Sequence, residues 1–136
     1  MEGAKKKASV LIVDDTPENI SVLTEVLSEH YRVKAATSGE KALAICTSDA
    51  PPDLILLDVM MPEMDGHEVC RRLKSNERTR HIPVIFVTAL TDEHNEALGF
   101  ELGAVDYVSK PISPQVVLQR VRLHIGLQEV RAQWKP

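Results

Sequence analysis

A chain of 136 residues with 43% hydrophobic content and few aromatics fits one domain around a single aliphatic core, not two. Its formal net charge of -4 disfavours nucleic acid as a direct partner, since affinity for phosphate backbones comes largely from Lys and Arg. No apolar stretch is long enough for a membrane span or a signal peptide, and Cys46 and Cys70, far apart and without C-x-x-C spacing, read as reduced thiols of a cytoplasmic protein.

Lys5-Lys6-Lys7 closes a basic tail, residues 1–7, expected to be solvated and disordered. Val10-Leu11-Ile12-Val13 is then a short, fully apolar run, the signature of a strand buried on both faces, and it ends at Asp14-Asp15. Thr16 and Pro17 supply an N-cap and an N1 proline, and Ile20, Leu23 and Leu27 recur at helical spacing up to about His30. Residues 31–36 make a second strand, Ser38 caps a helix through Cys46, and Ala50-Pro51-Pro52-Asp53 breaks the chain before a third. That strand, Leu54-Ile55-Leu56-Leu57, ends at Asp58. Residues 61–66 form a loop into a helix with Val69 and Leu73 on one face, and 76–82 are a polar connection. Pro83 starts a strand over 84–88, and a helix capped by Thr91 runs from about Asp92 to Gly103. Val105-Asp106-Tyr107-Val108 leads to Lys110. Ser113 and Pro114 open a last helix with Val117, Val121 and Ile125 on its inner face. The helical pattern continues to Glu129, weakened by about 1 kcal/mol at Gly126, and Trp134 has no obvious core to enter.

Five strand-helix units with near-continuous apolar strands specify an α/β fold: a doubly wound parallel sheet with helices on both faces. In such sheets the ligand lies outside the carboxyl ends of the strands, where strand order reverses. Asp14, Asp15, Asp58, Thr88 and Lys110 all fall at predicted carboxyl ends. Taken singly, each has a plain reading: a turn or cap for an Asp, a β-branched strand end for Thr88, a solvated charge for Lys110. Their convergence on one edge argues for a built site. Three close carboxylates repel by several kcal/mol per pair at an effective dielectric near 20, more than one lysine offsets, so a divalent cation is expected. Oxygen donors without Cys or His suit a hard ion, Mg²⁺ better than Ca²⁺. A carboxylate beside such an ion can attack phosphorus to form an acyl phosphate, with an ammonium and a hydroxyl sharing the phosphoryl oxygens. Lys110 and Thr88 fit those two roles.

Val13-Asp14-Asp15, the run from Leu57 through Asp58-Val59-Met60-Met61-Pro62-Glu63-Met64-Asp65 to Gly66, Val87-Thr88-Ala89 and Tyr107-Val108-Ser109-Lys110-Pro111 resemble the receiver domain of two-component response regulators. The resemblance covers residues 8–127, with every motif in order and at family-like spacing. It implies a five-stranded sheet of order 2-1-3-4-5, flanked by five helices. It also implies Asp58 as phosphoacceptor and Asp15 as a direct Mg²⁺ ligand, with Asp14 acting through a metal-bound water and the Met60 backbone carbonyl as a further ligand. Thr88 and Lys110 would meet the phosphoryl group, and the Lys110-Pro111 bond would be cis. Tyr107 would rotate inward as Thr88 moves, shifting the surface of the fourth helix, fifth strand and fifth helix, about residues 92–127. The implied partners are a sensor histidine kinase, a phosphotransfer protein or a small phosphodonor on one side, and an output domain or effector on the other. A homodimer is compatible.

Several features are particular to this chain. Met60 and Leu90 occupy two positions that tune loss of the phosphoryl group in the family, and neither can orient a water, so slow self-dephosphorylation is expected. Ala89 leaves the site open to a small phosphodonor or a phosphatase. The histidines His30, His67, His81, His94 and His124 lack metal spacing and read as surface or helix-face residues. Residues 128–136 read as a helical extension or a linker. Val121-Arg122-Leu123-His124-Ile125 resembles receivers joined to diguanylate cyclases, cyclic-dinucleotide phosphodiesterases or histidine kinases, and a single-domain regulator is equally compatible. Val105 stands where regulators with winged-helix DNA-binding outputs often carry an acid. A haloacid-dehalogenase phosphatase would need an Asp two residues past its nucleophile, where Met60 stands, so a regulatory domain is expected rather than an enzyme. A flavodoxin-like FMN site would need a hydroxyl- and glycine-rich loop where Asp14-Asp15-Thr16-Pro17 stands. The alternative kept in view is a phosphorylation-independent interaction module.

Overall fold

The computed structural model describes residues 7–89 and 93–133. Strands β1 (Ser9–Val13), β2 (Arg32–Ala36), β3 (Leu54–Leu57), β4 (Val84–Thr88) and β5 (Asp106–Ser109) form one parallel sheet of order β2-β1-β3-β4-β5. They alternate with helices α1 (Pro17–Leu27), α2 (Gly39–Cys46), α3 (Gly66–Lys74), α4 (Glu93–Glu101) and α5 (Pro114–Gln133). The chain therefore has the doubly wound α/β receiver fold that its apolar runs and their resemblance implied.

Alternation along the strands divides the core in two. Leu11, Val13, Ile55, Leu57, Val84 and Phe86 face α2 and α3, whose Cys46, Val69 and Leu73 close that layer. Val10, Ile12, Leu54, Leu56, Ile85 and Val87 face the other way, against Leu23 and Leu27 of α1 and Val117, Val121 and Ile125 of α5. Both faces being covered, the three central strands carry no polar residue except at their ends, and the edge strands β2 and β5 are the ones whose side chains reach solvent.

Some boundaries differ from the sequence-based expectation. Helix α1 stops at Leu27, short of His30, because the chain turns there: the Leu27 carbonyl accepts from the amides of both His30 and Tyr31. Helical spacing from Leu27 to Tyr31 mimicked another turn of helix. Thr16 occupies the N-cap position but its side chain caps nothing. Instead the Thr16 amide donates to Asp14 Oδ1, at 2.9 Å. The β5 strand begins one residue after Val105, whose amide nevertheless donates to the Val84 carbonyl. Ser38 caps α2 as expected, accepting from the Lys41 amide, and Gly103 takes a φ of +106° after α4. The predicted cap Thr91, with Asp92, lies outside the described residues, as do Leu90, Trp134 and residues 1–6. Helix α5 passes from 127 to 128 without a break.

Candidate functional site

Register explains why the acidic residues meet. Val13 pairs with Leu57 across β1 and β3, so Asp14 and Asp58 are each the next residue along neighbouring strands. Thr88 ends β4 opposite Ser109, and the Lys110 amide donates to the Thr88 carbonyl at 2.8 Å, setting Lys110 one residue past β5 on the same edge. The Lys110-Pro111 peptide bond is cis. Asp14, Asp58 and Thr88 are 3%, 5% and 0% exposed, whereas Asp15 is open to solvent.

The geometry is that of a charge cluster with one resident cation. The Lys110 ammonium donates to Asp14 Oδ2 at 2.9 Å and to Asp58 Oδ2 at 3.0 Å. Asp14 Oδ2 also accepts from Asn19 Nδ2, and Asp58 Oδ1 accepts from the Met60 amide at 3.2 Å. Burial alone would pull the pKa of Lys110 down, but its hydrogen bonds and charge interactions with Asp14 and Asp58 outweigh that, and the net shift is upward. One carboxylate oxygen from each of Asp14, Asp15 and Asp58 lies within 4.8 Å of the others. One ammonium bonds two of these three carboxylates, and at about 4 Å each like-charge pair costs roughly 4 kcal/mol at an effective dielectric of 20. This all-oxygen set fits a hard divalent cation.

The loop after Asp58 is held by residues that the motifs contain but whose reason is tertiary. A Cβ built on Gly66 would lie 2.1 Å from the Asp58 carbonyl oxygen, so no side chain fits there. The Gly66 amide donates to the Val59 carbonyl, and Asp65 Oδ1 caps α3 by accepting from the Glu68 amide. Glu63 adopts a φ of 68° in the same loop. Met60 is exposed, and with Asp15, Met61, Pro62 and Asp65 it lines a shallow depression beside the carboxylates.

Tyr107 pairs in register with Phe86, and their rings pack with centroids 5.8 Å apart. Gly99 of α4 leaves room for both rings: a Cβ there would come within 3.1 Å of Phe86 and 3.3 Å of Tyr107. Two of the histidines sit on helix faces turned toward other elements. His67 sets its ring against Phe86 with Nε2 buried, and His124 is largely buried, its Nε2 3.0 Å from Asp106 Oδ2. Neither belongs to the carboxylate cluster.

The response regulator receiver domain family model matches residues 10–122, which is most of the chain. The chain belongs to that family. This receiver domain is 50% identical over 126 residues to a probable cyclic di-GMP phosphodiesterase of Vibrio cholerae, covering 93% of this chain and 28% of that protein. It is 47% identical over 116 residues to the response regulator PleD of Caulobacter vibrioides, covering 85% of this chain and 25% of that protein. The receiver domain thus spans about a quarter of the length of these two relatives. Among solved structures it is similar to a putative response regulator from Chloroflexus aurantiacus, with a TM-score of 0.83, 36% identity, and coverage of 89% of this chain and 99% of that one. Among the described residues no helix is long and apolar enough to cross a membrane.

Proposed function

We propose that the receiver domain is a phosphorylation-controlled signalling switch that takes its phosphoryl group on Asp58. The observation that carries this reading is the placement of Asp58: a buried carboxylate at the end of a central strand, bonded to Lys110 and within ligand distance of Asp14 and Asp15. Asp14, Asp15, Asp58 and the Met60 carbonyl would hold Mg²⁺, which when bound supplies positive charge against the phosphoryl oxygens.

A carboxylate oxygen of Asp58 attacks phosphorus as the donor's bond to phosphorus breaks. The donor's leaving group departs with that electron pair, a histidine ring nitrogen then taking a proton from solvent and a carboxylate such as acetate leaving ionised, and an acyl phosphate remains on Asp58. Before the reaction Lys110 is shared between Asp14 and Asp58, which pre-positions an ammonium for the incoming charge. Thr88, wholly buried beside it, offers its hydroxyl to the new oxygens. The donor is a histidine kinase, a phosphotransfer protein or a small phosphodonor, and the readout passes through Tyr107 to the face made by α4, β5 and α5. Residues 8–127 would act as this unit, with 1–7 a tail and 128–136 leading toward an output such as the cyclic di-GMP activity named for the Vibrio relative.

Intact mass after incubation with acetyl phosphate tests this, with and without Mg²⁺, on the wild type and on Asp58→Ala. One phosphoryl adduct that requires both Mg²⁺ and Asp58 is expected. Folded protein that binds Mg²⁺ but takes no adduct would transfer the reading to a phosphorylation-independent interaction module.

A further inference from the structure

Beside the amino-terminal ends of β4 and β5, on the sheet edge opposite the carboxylates, lies an open cavity of about 500 Å³. Lys74 at the end of α3, Arg80 and His81 from the loop before β4, and Arg131 in the last turn of α5 line it, together with apolar Pro83 and Val105. No acidic residue does. The neighbouring cavity, which shares Gln128, sets Lys7 and Arg32 beside Asp53 and Glu129 and so is balanced in charge. Basic side chains gathered without acids are a local departure in a chain whose net charge is -4.

Lys74 is the fixed member of this group. Half-buried, its ammonium donates to the Ile82 carbonyl at 2.7 Å and to the Arg80 carbonyl at 3.0 Å. An ammonium has three donors, so one stays uncommitted. Burial pulls the Lys74 pKa down, and no carboxylate acts against it. Among the described residues no carboxylate bonds Arg80 or Arg131 either. Gly103 brings the chain after α4 against the lysine stem, where a Cβ would lie 3.0 Å from Lys74 Cγ. Gln128 Nε2 donates to the His81 carbonyl at 3.1 Å and ties the loop to α5. Main-chain contacts thus hold the cavity together, and the charges that line it are left without counterparts.

From these observations we infer that the cavity binds a small molecule carrying two phosphate groups. Like charges gathered in one cavity repel, and an anion between them removes the conflict. Lys74, Arg80 and Arg131 supply three fixed positive charges, more than one carboxylate or one phosphate of about -1.5 to -2 would balance, and two phosphates match them. Each guanidinium presents a planar fork that fits two phosphate oxygens, and the free Lys74 hydrogen adds a point donor. Pro83 and Val105 offer apolar contact to a ring or a methylene chain between or beyond the phosphates. The volume lies within the range of small-molecule sites. An extended polyanion such as nucleic acid is disfavoured, because outside the cavity it meets a chain of net negative charge. None of this rests on phosphorylation of Asp58.

Isothermal titration calorimetry of the 136-residue chain with inorganic pyrophosphate tests this, in metal-free buffer so that no Mg²⁺ carries the probe to the carboxylates. The wild type should bind one equivalent. Arg80→Glu and Arg131→Glu, both at exposed positions, should each weaken binding by about tenfold or more. Val105→Asp, which adds a carboxylate to the cavity, should abolish it, with circular dichroism as the check of fold. Lys41→Glu makes the same change in net charge on the exposed face of α2 and should leave binding within about twofold of wild type, as should Asp58→Ala. Absence of binding at millimolar pyrophosphate would overturn the inference. So would binding that survives both arginine variants, or that Lys41→Glu weakens as much as they do, since the attraction would then belong to the whole surface. Loss of binding in Asp58→Ala would place the anion at the carboxylate edge and overturn it as well.

Discussion

Gly66 and Gly126 show how little a residue type says without its surroundings. At Gly66 the space for a side chain is taken by the Asp58 carbonyl, so Gly66→Ala must push α3 away from the strand end that carries the carboxylate. We expect a loss of about 3 kcal/mol, the upper range for overpacking against backbone that cannot yield. At Gly126 the space is open, and Gly126→Ala should stabilise by about 1 kcal/mol through helix propensity. Urea midpoints of the two variants measured side by side check both signs, and equal effects would refute the packing argument. The same contrast explains what could be read in advance. The meeting of Asp14, Asp58 and Lys110 on one edge was legible because the two aspartates close apolar runs and Lys110 follows a short strand-like run, and a strand end has only one edge to point to. The roles of Gly66, Gly99 and His67 were not, because they depend on the Asp58 carbonyl, on Tyr107 and on Phe86, residues that the fold alone brings near.

At the scale of elements, β5 and α5 are tied by a charge trio outside the carboxylate cluster. Asp106 accepts from Arg120 on one oxygen, approaches His124 on the other, and takes its neighbour Tyr107's amide as well. Burial works to raise the Asp106 pKa, but these three hydrogen bonds and the Arg120 charge prevail, and the net shift is downward. A carboxyl held below its ordinary value contributes stability that is present above the unfolded pKa, near 4, and is lost as pH falls through the folded value. Asp106→Asn should therefore cost about 1.5–3 kcal/mol at pH 7, the range of hydrogen bonds to charged groups. The difference from wild type should shrink below about pH 4, as the wild-type carboxylate also becomes protonated. Thermal unfolding at a series of pH values checks this, and a gap that persists undiminished into acid would show that Asp106 acts by packing rather than charge. The elements themselves were mostly legible: the inner positions of α5, the Ser38 cap and the Gly103 stop follow from period and turn chemistry. The trio was not, because in the sequence Asp106 is merely a polar residue in a short strand and His124 one of five scattered histidines.

For the whole molecule, sheet order is where local reading runs out. Apolar strands alternating with helices require a parallel sheet covered on both faces, and right-handed crossovers narrow the topologies, yet several orders satisfy both. The order 2-1-3-4-5 was implied by family resemblance, and it brings the ends of β1, β3, β4 and β5 together. The same order concentrates like charge on one edge of a sheet whose centre is entirely apolar, so fold and site pull against each other. Lys110 moderates the conflict without a metal by bonding both Asp14 and Asp58. Lys110→Ala should then leave two buried carboxylates facing each other and lower stability by roughly 3 kcal/mol in metal-free solution, the range for breaking a buried ion pair. A divalent cation held by the same oxygens binds only the folded chain and stabilises it in proportion to the logarithm of its concentration over its Kd. With the ammonium removed, the cation meets a more negative site, so Mg²⁺ should raise the Tm of Lys110→Ala more than that of the wild type, closing part of the gap. Equal Mg²⁺-induced shifts in the two proteins would mean that Lys110 and the cation do not answer to the same charge, and the electrostatic account of this edge would fail.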